Sequence, residues 1–356
     1  MKFGLFTHVP WPEGEEPARL FAECVEQAVF GEELGFHSVW IAEHHFSRYS
    51  LGSSSLVLAA AIASRTERIR LGTGVLIPTL HNPIRLAEDT ATLDCVSGGR
   101  LDVGFGRGTF GYEYGGFGVD EEEAHARFRE SVRIVQGLWT TPEFSHAGEF
   151  YTLNKLNLVP PPLQAPHPPI YIAASYTQAT LEFLVNNGYK LCIAVVQDTQ
   201  QSLDLCRRYL ALSADAGGDA TLDDVPFFRY FYVAETEEQA REDSAAHVNW
   251  ILDIMQWRRN FSESSEVPYS IDAWRSERTK LPLSFDYISD NRAFIGTPDQ
   301  CAAKIAELRA QGVEYFGCNF AMGGIPHDKV MRSMQLFADE VMPRFADSLR
   351  ASARNS

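Results

Sequence analysis

The sequence lacks three features that would assign it to well-defined classes of protein. It has no apolar run near the roughly 18 residues that a membrane-spanning helix needs. Its six cysteines form no Cys-x-x-Cys pair and fall mostly in apolar segments, so we expect reduced, buried thiols. It has no basic excess, because its net charge is -16, and this argues against nucleic acid and anionic membrane as partners. These absences, and a start without a signal peptide, predict a cytoplasmic protein that acts on small molecules.

Strand-like and helix-like segments, in contrast, alternate along almost the whole chain. Apolar residues make up 45% of the 356 residues, which is enough to build a large core. The alternation predicts a (β/α)8 TIM barrel, with a doubly wound parallel sheet as the alternative fold. The eight strands are predicted at residues 2–9, 38–42, 69–77, 100–106, 170–174, 191–196, 227–234 and 313–320.

The predicted barrel is a single domain over residues 1–346, followed by a polar C-terminal tail, 347–356. Two irregular segments interrupt the alternation and are predicted to be loop insertions. One, at about 140–168, lies between strands four and five, and its Phe150-Tyr151 region is expected to form a short hairpin. The other, at about 257–291, follows strand seven and is expected to act as a lid.

The most informative stretch is Ser-Val-Trp-Ile-Ala-Glu-His-His-Phe, at residues 38–46. It predicts a buried strand that ends in Glu43, His44 and His45, and barrel enzymes carry their chemistry at this end of their strands. Ionisable groups beside a dry core are costly unless they are used. Adjacent residues on an extended chain point to opposite sides, so His44 and His45 should not share a metal. The sequence therefore predicts catalysis and no metal site.

A second candidate site follows strand four, where Arg107 stands between Gly106 and Gly108. Glycines let a ligand approach the backbone, and a guanidinium can hold a phosphate. Ser175 and Thr177, just before a helix, could donate to the same phosphate, although helix capping explains them equally well and a surface salt bridge could explain Arg107. The glycines of residues 106–111 also fit Gly-x-Gly-x-x-Gly, but Gly111-Tyr-Glu-Tyr-Gly-Gly is a poor helix start, so we reject a dinucleotide site.

These residues belong to a set of short motifs in which the chain resembles the bacterial luciferase-like flavin monooxygenases. The motifs occur in the family order and cover nearly the whole chain. They are Met1-Lys-Phe-Gly4, Val39-Trp-Ile-Ala-Glu-His-His-Phe46, Gly72-Thr73, Pro78-Thr-Leu-His-Asn-Pro83, Ala87-Glu-Asp89, Leu93-Asp94, Ser97-Gly-Gly-Arg100, Gly104-x-Gly-Arg-Gly108, Pro169-Ile-Tyr171, Ala174-Ser175 and Gly296-Thr-Pro298.

The resemblance implies a (β/α)8 barrel that binds reduced FMN (FMNH2), reacts it with O2 to a flavin C4a-(hydro)peroxide and oxygenates a small organic substrate. It implies that His44 acts as acid, base or intermediate stabiliser, with Glu43 close by. It also implies a non-proline cis peptide near Gly74-Val75 and a cofactor site made by Gly74, Val75, Gly106, Arg107, Ala174, Ser175, Tyr176 and Thr177.

Partners follow from the same resemblance. The chain carries no reductase domain or nicotinamide motif, so a separate flavin reductase is expected to supply FMNH2. Family members usually dimerise through the helices after strands two and three, which predicts a homodimer. Gly106 stands where the light-emitting subunit has a cysteine, which argues against bioluminescence. Two alternatives stay open: an F420-dependent oxidoreductase of the same superfamily, and a non-catalytic flavin-binding companion subunit.

Overall fold

The computed structural model describes residues 1–174, 177–260, 266–277 and 283–346. The predicted tail at 347–356 and residues 261–265 and 278–282 of the second insertion lie outside this part of the chain. The strands are β1 Lys2–Thr7, β2 Ser38–Ile41, β3 Arg70–Thr73, β4 Leu101–Phe105, β5 Phe144–Ala147, β6 Thr152–Leu156, β7 Ile170–Ala174, β8 Lys190–Ile193, β9 Phe227–Val233, β10 Ala293–Gly296 and β11 Tyr315–Asn319.

Helices follow most of these strands and pack outside them. They are α1 Pro17–Leu34, α2 Ser55–Ala63, α3 Pro83–Val96, α4 Gly111–Gly116, α5 Ala124–Thr140, α6 Gln178–Asn186, α7 Thr199–Asp215, α8 Glu237–Arg258, α9 Ile271–Glu277, α10 Phe285–Asn291, α11 Pro298–Arg309 and α12 His327–Glu340, with 3₁₀ turns at Gly52–Ser54, Pro78–Leu80, Glu121–Glu123, Met322–Gly324 and Met342–Phe345. None of the helices in the described ranges is both long and apolar enough to cross a membrane.

The sheet is a closed barrel of eight parallel strands in the order β1-β2-β3-β4-β7-β8-β9-β11. Strand β11 pairs back with β1, and the Ile193–Phe227 bridge joins β8 to β9 and closes the ring. The predicted TIM barrel is therefore confirmed, and the doubly wound alternative is wrong. All eight predicted strands take part in the ring.

One strand was missed. Residues 293–296 form β10, which pairs in parallel with the second half of β9, from Tyr230 to Val233. A segment of four residues is too short to show a periodic pattern, and it directly follows the irregular insertion, which ends at about residue 291. The insertion at 140–168 contains the expected hairpin, β5 against β6, while the described part of 257–291 contains two short helices, α9 and α10.

The lower half of the barrel is filled by aromatic side chains. Trp40 is fully buried and donates from Nε1 to the hydroxyl of Tyr315 at 2.8 Å. A Cβ at Gly72 would lie 2.1 Å from the Trp40 ring, so glycine at this position is what lets the indole cross the barrel. Trp40 is thus a core residue, as the sequence favoured, and the open space lies above it at the carboxyl ends of the strands.

The glycine-rich loop after β4 differs from the expectation. Residues 111–116, judged a poor helix start, form α4. Glycine disfavours a helix by about 1 kcal/mol per residue, but Tyr112, Glu113 and Tyr114 are all buried in this turn. Tertiary burial of these three side chains outweighs the local propensity, and it delivers Glu113 to the site described next.

Candidate active site

A cavity of about 860 Å³ opens at the carboxyl end of the barrel. Ligand sites in barrel enzymes lie at this end, and the volume is in the usual range for small-molecule pockets. Eight of the ten residues predicted from the sequence line it: Glu43, His44, Gly74, Val75, Gly106, Arg107, Ala174 and Thr177. The other two, Ser175 and Tyr176, lie outside the described residues.

One part of the cavity offers donors for an anion. The guanidinium of Arg107 is half-buried and, among the described residues, has no hydrogen-bond or ion-pair partner. Thr177 stands at the start of α6, but its hydroxyl lies 2.6 Å from the Thr180 hydroxyl and does not cap the helix. Within the described residues, therefore, Thr177 makes no side-chain cap and Arg107 makes no salt bridge, and the phosphate site stays a prediction.

Sequence reasoning missed two further residues of this part, His125 and Arg129 of α5, which line the same cavity. Burial lowers the pKa of His125, and the positive charges of Arg107 and Arg129 lower it further. The three groups are thus close enough to interact electrostatically. His125 and Arg129 are four residues apart, which puts them on one helix face, and this spacing was the available signal.

Small residues also form part of the cavity wall. Gly74, Gly106, Ala173 and Ala174 line the cavity, and the Gly74-Val75 peptide is cis, as the resemblance predicted. A Cβ at Gly106 would lie 2.5 Å from the Val75 side chain. A wall without bulky side chains suits a flat ring, so the residues present fit a flavin with its phosphate near Arg107.

His44 faces the cavity with 21% of its side chain exposed. Its Nδ1 lies 3.2 Å from Oε1 of Glu113 and 3.4 Å from Nη2 of Arg258. Burial lowers the pKa of His44, Arg258 lowers it further, and Glu113 opposes both, with a net pKa below the ordinary value. The imidazole is therefore neutral at pH 7.

Glu43 also borders the cavity, but its carboxylate is engaged elsewhere. Oε1 lies 2.8 Å from Nε2 of His45 and 2.8 Å from Nε2 of His81, while Oε2 accepts from the backbone N–H of Ile77 at 3.2 Å. Burial alone would raise the pKa of Glu43, but the hydrogen bonds of the two histidines outweigh it and the net pKa is lowered. This arrangement ties Glu43 to the loop after β3 and away from His44.

The ligand atoms of Glu43, His45 and His81 all lie within 4.8 Å of one another, a spacing that a metal ion could use. The two imidazoles already bond the carboxylate, so the cluster is complete as a hydrogen-bonded group. His44 and His45 point to different partners, Glu113 and Glu43, as the extended-chain argument required.

Two more residues of the site gave no signal in the sequence. Arg258, the last residue of α8, is fully buried, with its guanidinium 3.6 Å from the ring centre of Phe110 and 4.4 Å from that of Tyr49. His8 follows β1, and its ring stacks on that of His44 at 6.1 Å. Burial lowers the pKa of His8 well below its ordinary value, helped by His44 and Arg258, so His8 is also neutral.

Comparison with known proteins gives a consistent result. The family model described as "Luciferase-like monooxygenase" matches residues 1–315. The chain is 27% identical over 355 residues to the flavin-dependent trigonelline monooxygenase, oxygenase component, of Acinetobacter baylyi, covering 98% of this chain and 96% of that protein.

Solved structures share the fold. Monooxygenase RslO1 from Streptomyces bottropensis is 28% identical, with a TM-score of 0.84 over 97% of this chain and all of that one. The oxygenating constituent of 3,6-diketocamphane monooxygenase of Pseudomonas putida, solved with FMN, is 20% identical, with a TM-score of 0.80 over 97% of this chain and 98% of that one. An F420-dependent secondary alcohol dehydrogenase, 16% identical, has a TM-score of 0.75 over 97% of this chain and 99% of that one. The last two likenesses concern the fold alone.

Proposed function

The chain belongs to the luciferase-like monooxygenase family and is a flavin-dependent monooxygenase, and we propose that it is the oxygenase component of a two-component system. In this proposal reduced FMN and O2 are the cosubstrates, a small organic molecule is oxygenated, and a separate flavin reductase supplies FMNH2. The relative from Acinetobacter baylyi, itself an oxygenase component, supports this division of labour.

One observation carries the proposal: a single cavity joins the guanidinium of Arg107, which has no partner among the described residues, to the neutral imidazole of His44. A phosphate dianion needs donors and positive charge, and Arg107, Arg129 and the threonine hydroxyls supply them. Bound reduced FMN would supply the electrons that activate O2. The phosphate would then fix the cofactor at one end, while the chemistry takes place beside His44.

The chain's own contribution is to bind, to exclude water and to place a proton acceptor. Phe6, Tyr49, Phe110 and Phe228 line the cavity around His44, and an apolar wall of this kind keeps water from a reactive site. His44, being neutral, can accept a proton there. Glu43 joins the segments that follow β2 and β3 at the edge of the same cavity.

The test is an anaerobic titration of the purified chain with FMNH2, followed by rapid mixing with oxygenated buffer in a spectrometer. We expect binding, then a transient absorbing species that precedes oxidised FMN. His44→Ala should retain FMNH2 binding and lose product by about 10²- to 10⁴-fold, whereas His146→Ala, in the hairpin, should match the wild type. Equal turnover in His44→Ala would remove His44 from the reaction.

The main alternative is hydride transfer from reduced F420 without O2, because an F420-dependent dehydrogenase shares the fold. The same titration with reduced F420 distinguishes this alternative from the proposal. Binding of F420 in place of FMNH2 would replace the proposal. Binding of FMNH2 with no transient species and no product would favour a companion subunit, although a chain that only binds flavin has no need of His44 and its partners.

A further inference from the structure

The Nδ1 atom of His44 faces two groups with opposite demands. Glu113 Oε1, at 3.2 Å, can only accept a hydrogen bond, and Arg258 Nη2, at 3.4 Å, can only donate one. A single ring nitrogen cannot satisfy both. Which partner it takes decides whether Nε2, for which no hydrogen bond is found among the described residues, carries a proton or a lone pair, and His44 lines the cavity.

We propose that Glu113 and Arg258 are a positioning pair that holds His44 as a neutral imidazole protonated at Nδ1, so that the lone pair of Nε2 faces the cavity. This inference rests on the proposed function and names the residues that prepare its proton acceptor. Neither residue belongs to a motif in the sequence, and neither side chain needs to contact the substrate or the cofactor.

Glu113 selects the tautomer. Its Oε1 is fixed by the backbone N–H of His45, which donates to it at 3.1 Å, so it stays beside Nδ1. An unprotonated Nδ1 would place a lone pair against this carboxylate oxygen, which is repulsive. Protonated Nδ1 makes a charge-assisted hydrogen bond instead, at the shorter of the two distances.

Arg258 sets the charge. Its guanidinium is fully buried between Phe110 and Tyr49, and its positive charge disfavours a second one on His44. Among the other groups near His44, Glu113 and Glu43 favour protonation, His8 is neutral, and burial raises the pKa of Tyr49 to about 12. Burial is the main cause of the lowered pKa of His44, and Arg258 is the nearby charge that lowers it further and so favours the neutral imidazole.

The pair is poorly built for stability, which points to a role in the site. Arg258 Nη2 and Glu113 Oε1 are 3.5 Å apart, and, within the described residues, Nε and Nη1 of Arg258 and Oε2 of Glu113 have no hydrogen-bond partner. A buried ion pair with unsatisfied atoms stabilises little or nothing. The pair therefore contributes through its contacts with His44 and not through stability.

The test uses the FMN-free protein, so it does not depend on the reaction. The protein is prepared with histidine labelled with ¹⁵N and ¹³C, and the His44 signals are assigned by comparison with a His44→Gln variant. NMR then reports the tautomer and the pKa of His44. We expect the wild type to carry the proton on Nδ1. Glu113→Met removes the acceptor at similar length and should move the proton to Nε2, whereas Glu113→Gln keeps an acceptor oxygen and should keep it on Nδ1.

The charge is tested by the pKa. Glu113→Gln should lower the pKa of His44 further, Arg258→Met should raise it, and Arg258→Lys should leave it near the wild-type value. In turnover, Glu113→Met should lose about a hundredfold in kcat with unchanged FMNH2 affinity. In a plot of turnover rate against pH, the acidic limb of Glu113→Gln should move to lower pH. If Arg258→Met does not fold, the two Glu113 variants and Arg258→Lys still decide the matter.

Retention of the Nδ1 proton in Glu113→Met, or a pKa of His44 that does not fall in Glu113→Gln, would overturn the inference. A wild-type protein that shows the expected tautomer but neither binds nor oxidises FMNH2 would instead overturn the proposed function. The two failures are therefore distinguishable.

Discussion

Glu43 and His81 are joined by a contact of 2.8 Å between Oε1 and Nε2, across 38 residues of sequence. The contact connects the carboxyl ends of β2 and β3, which are neighbours in the barrel. Burial lowers the pKa of His81, but its hydrogen bond to Glu43 and the charge of Glu43 outweigh burial and raise the net pKa, so the contact favours the charged imidazole. One wall of the cavity is held by this pair.

His81→Gln should therefore destabilise the fold in a pH-dependent way. The lowered pKa of Glu43 gives stability that is fully present above its ordinary value of 4.5, and the raised pKa of His81 gives stability that is fully present below its ordinary value of 6.5. Between these pH values, we expect the free energy of unfolding measured with urea to fall by about 1–2 kcal/mol. The loss should shrink as the pH rises through the folded pKa of His81. Gln311→Ala, at an exposed and uncharged residue far from this pair in sequence, is the control, and a loss in His81→Gln that is independent of pH would contradict the assignment.

Arg107→Ala should weaken FMN much more than riboflavin, since only FMN carries the phosphate. A charged hydrogen bond of about 1.5–3 kcal/mol corresponds to a loss of roughly 10- to 100-fold in affinity. Anaerobic fluorescence titration measures both ligands. Arg259→Ala, an exposed arginine at the same cavity, should affect the two ligands equally. Equal losses for FMN and riboflavin in Arg107→Ala would remove Arg107 from the phosphate site.

Glu266→Ala should loosen the second insertion. Glu266 is fully buried, and its Oε1 accepts from the Ser47 hydroxyl at 2.6 Å and from the backbone N–H of Arg48 at 2.7 Å, directly after the His44 turn. Loss of this anchor should raise hydrogen exchange in residues 266–277 and shorten the life of the transient species, because water gains access. Glu277→Ala, exposed on the same segment, should change neither, and unchanged exchange in Glu266→Ala would show that the insertion is anchored elsewhere.

The homodimer remains a prediction, and two exposed valines test it. Val57 of α2 is 70% exposed and Val96 of α3 is 61% exposed, on the two helices expected to meet a second copy. Exposed apolar groups on adjacent helices suit an interface. Val57→Glu with Val96→Glu should convert a dimer to a monomer in light scattering, while Ala303→Glu on α11 should not. A wild-type mass of one chain would contradict the prediction.

The sequence by itself determined the barrel and the rim of its site. Alternating strands and helices leave few topologies, and a closed parallel sheet brings every strand's carboxyl end to one face. Residues that directly follow a strand, such as His44 and Arg107, could therefore be placed together without a structure. The cis peptide at Gly74-Val75 came from the resemblance.

Tertiary structure alone decided which groups control His44. Glu113 is 69 residues away in sequence and Arg258 is 214 residues away, and no periodicity links such distant positions. Glu113 sits in a glycine-rich turn that local propensity would leave unfolded, and burial of its neighbours makes that turn helical. Arg258 ends an ordinary outer helix, and only packing of its guanidinium between two rings brings it to the imidazole. The chain thus encodes the position of the chemistry locally, while the protonation of its central histidine is set by contacts that exist only in the folded barrel.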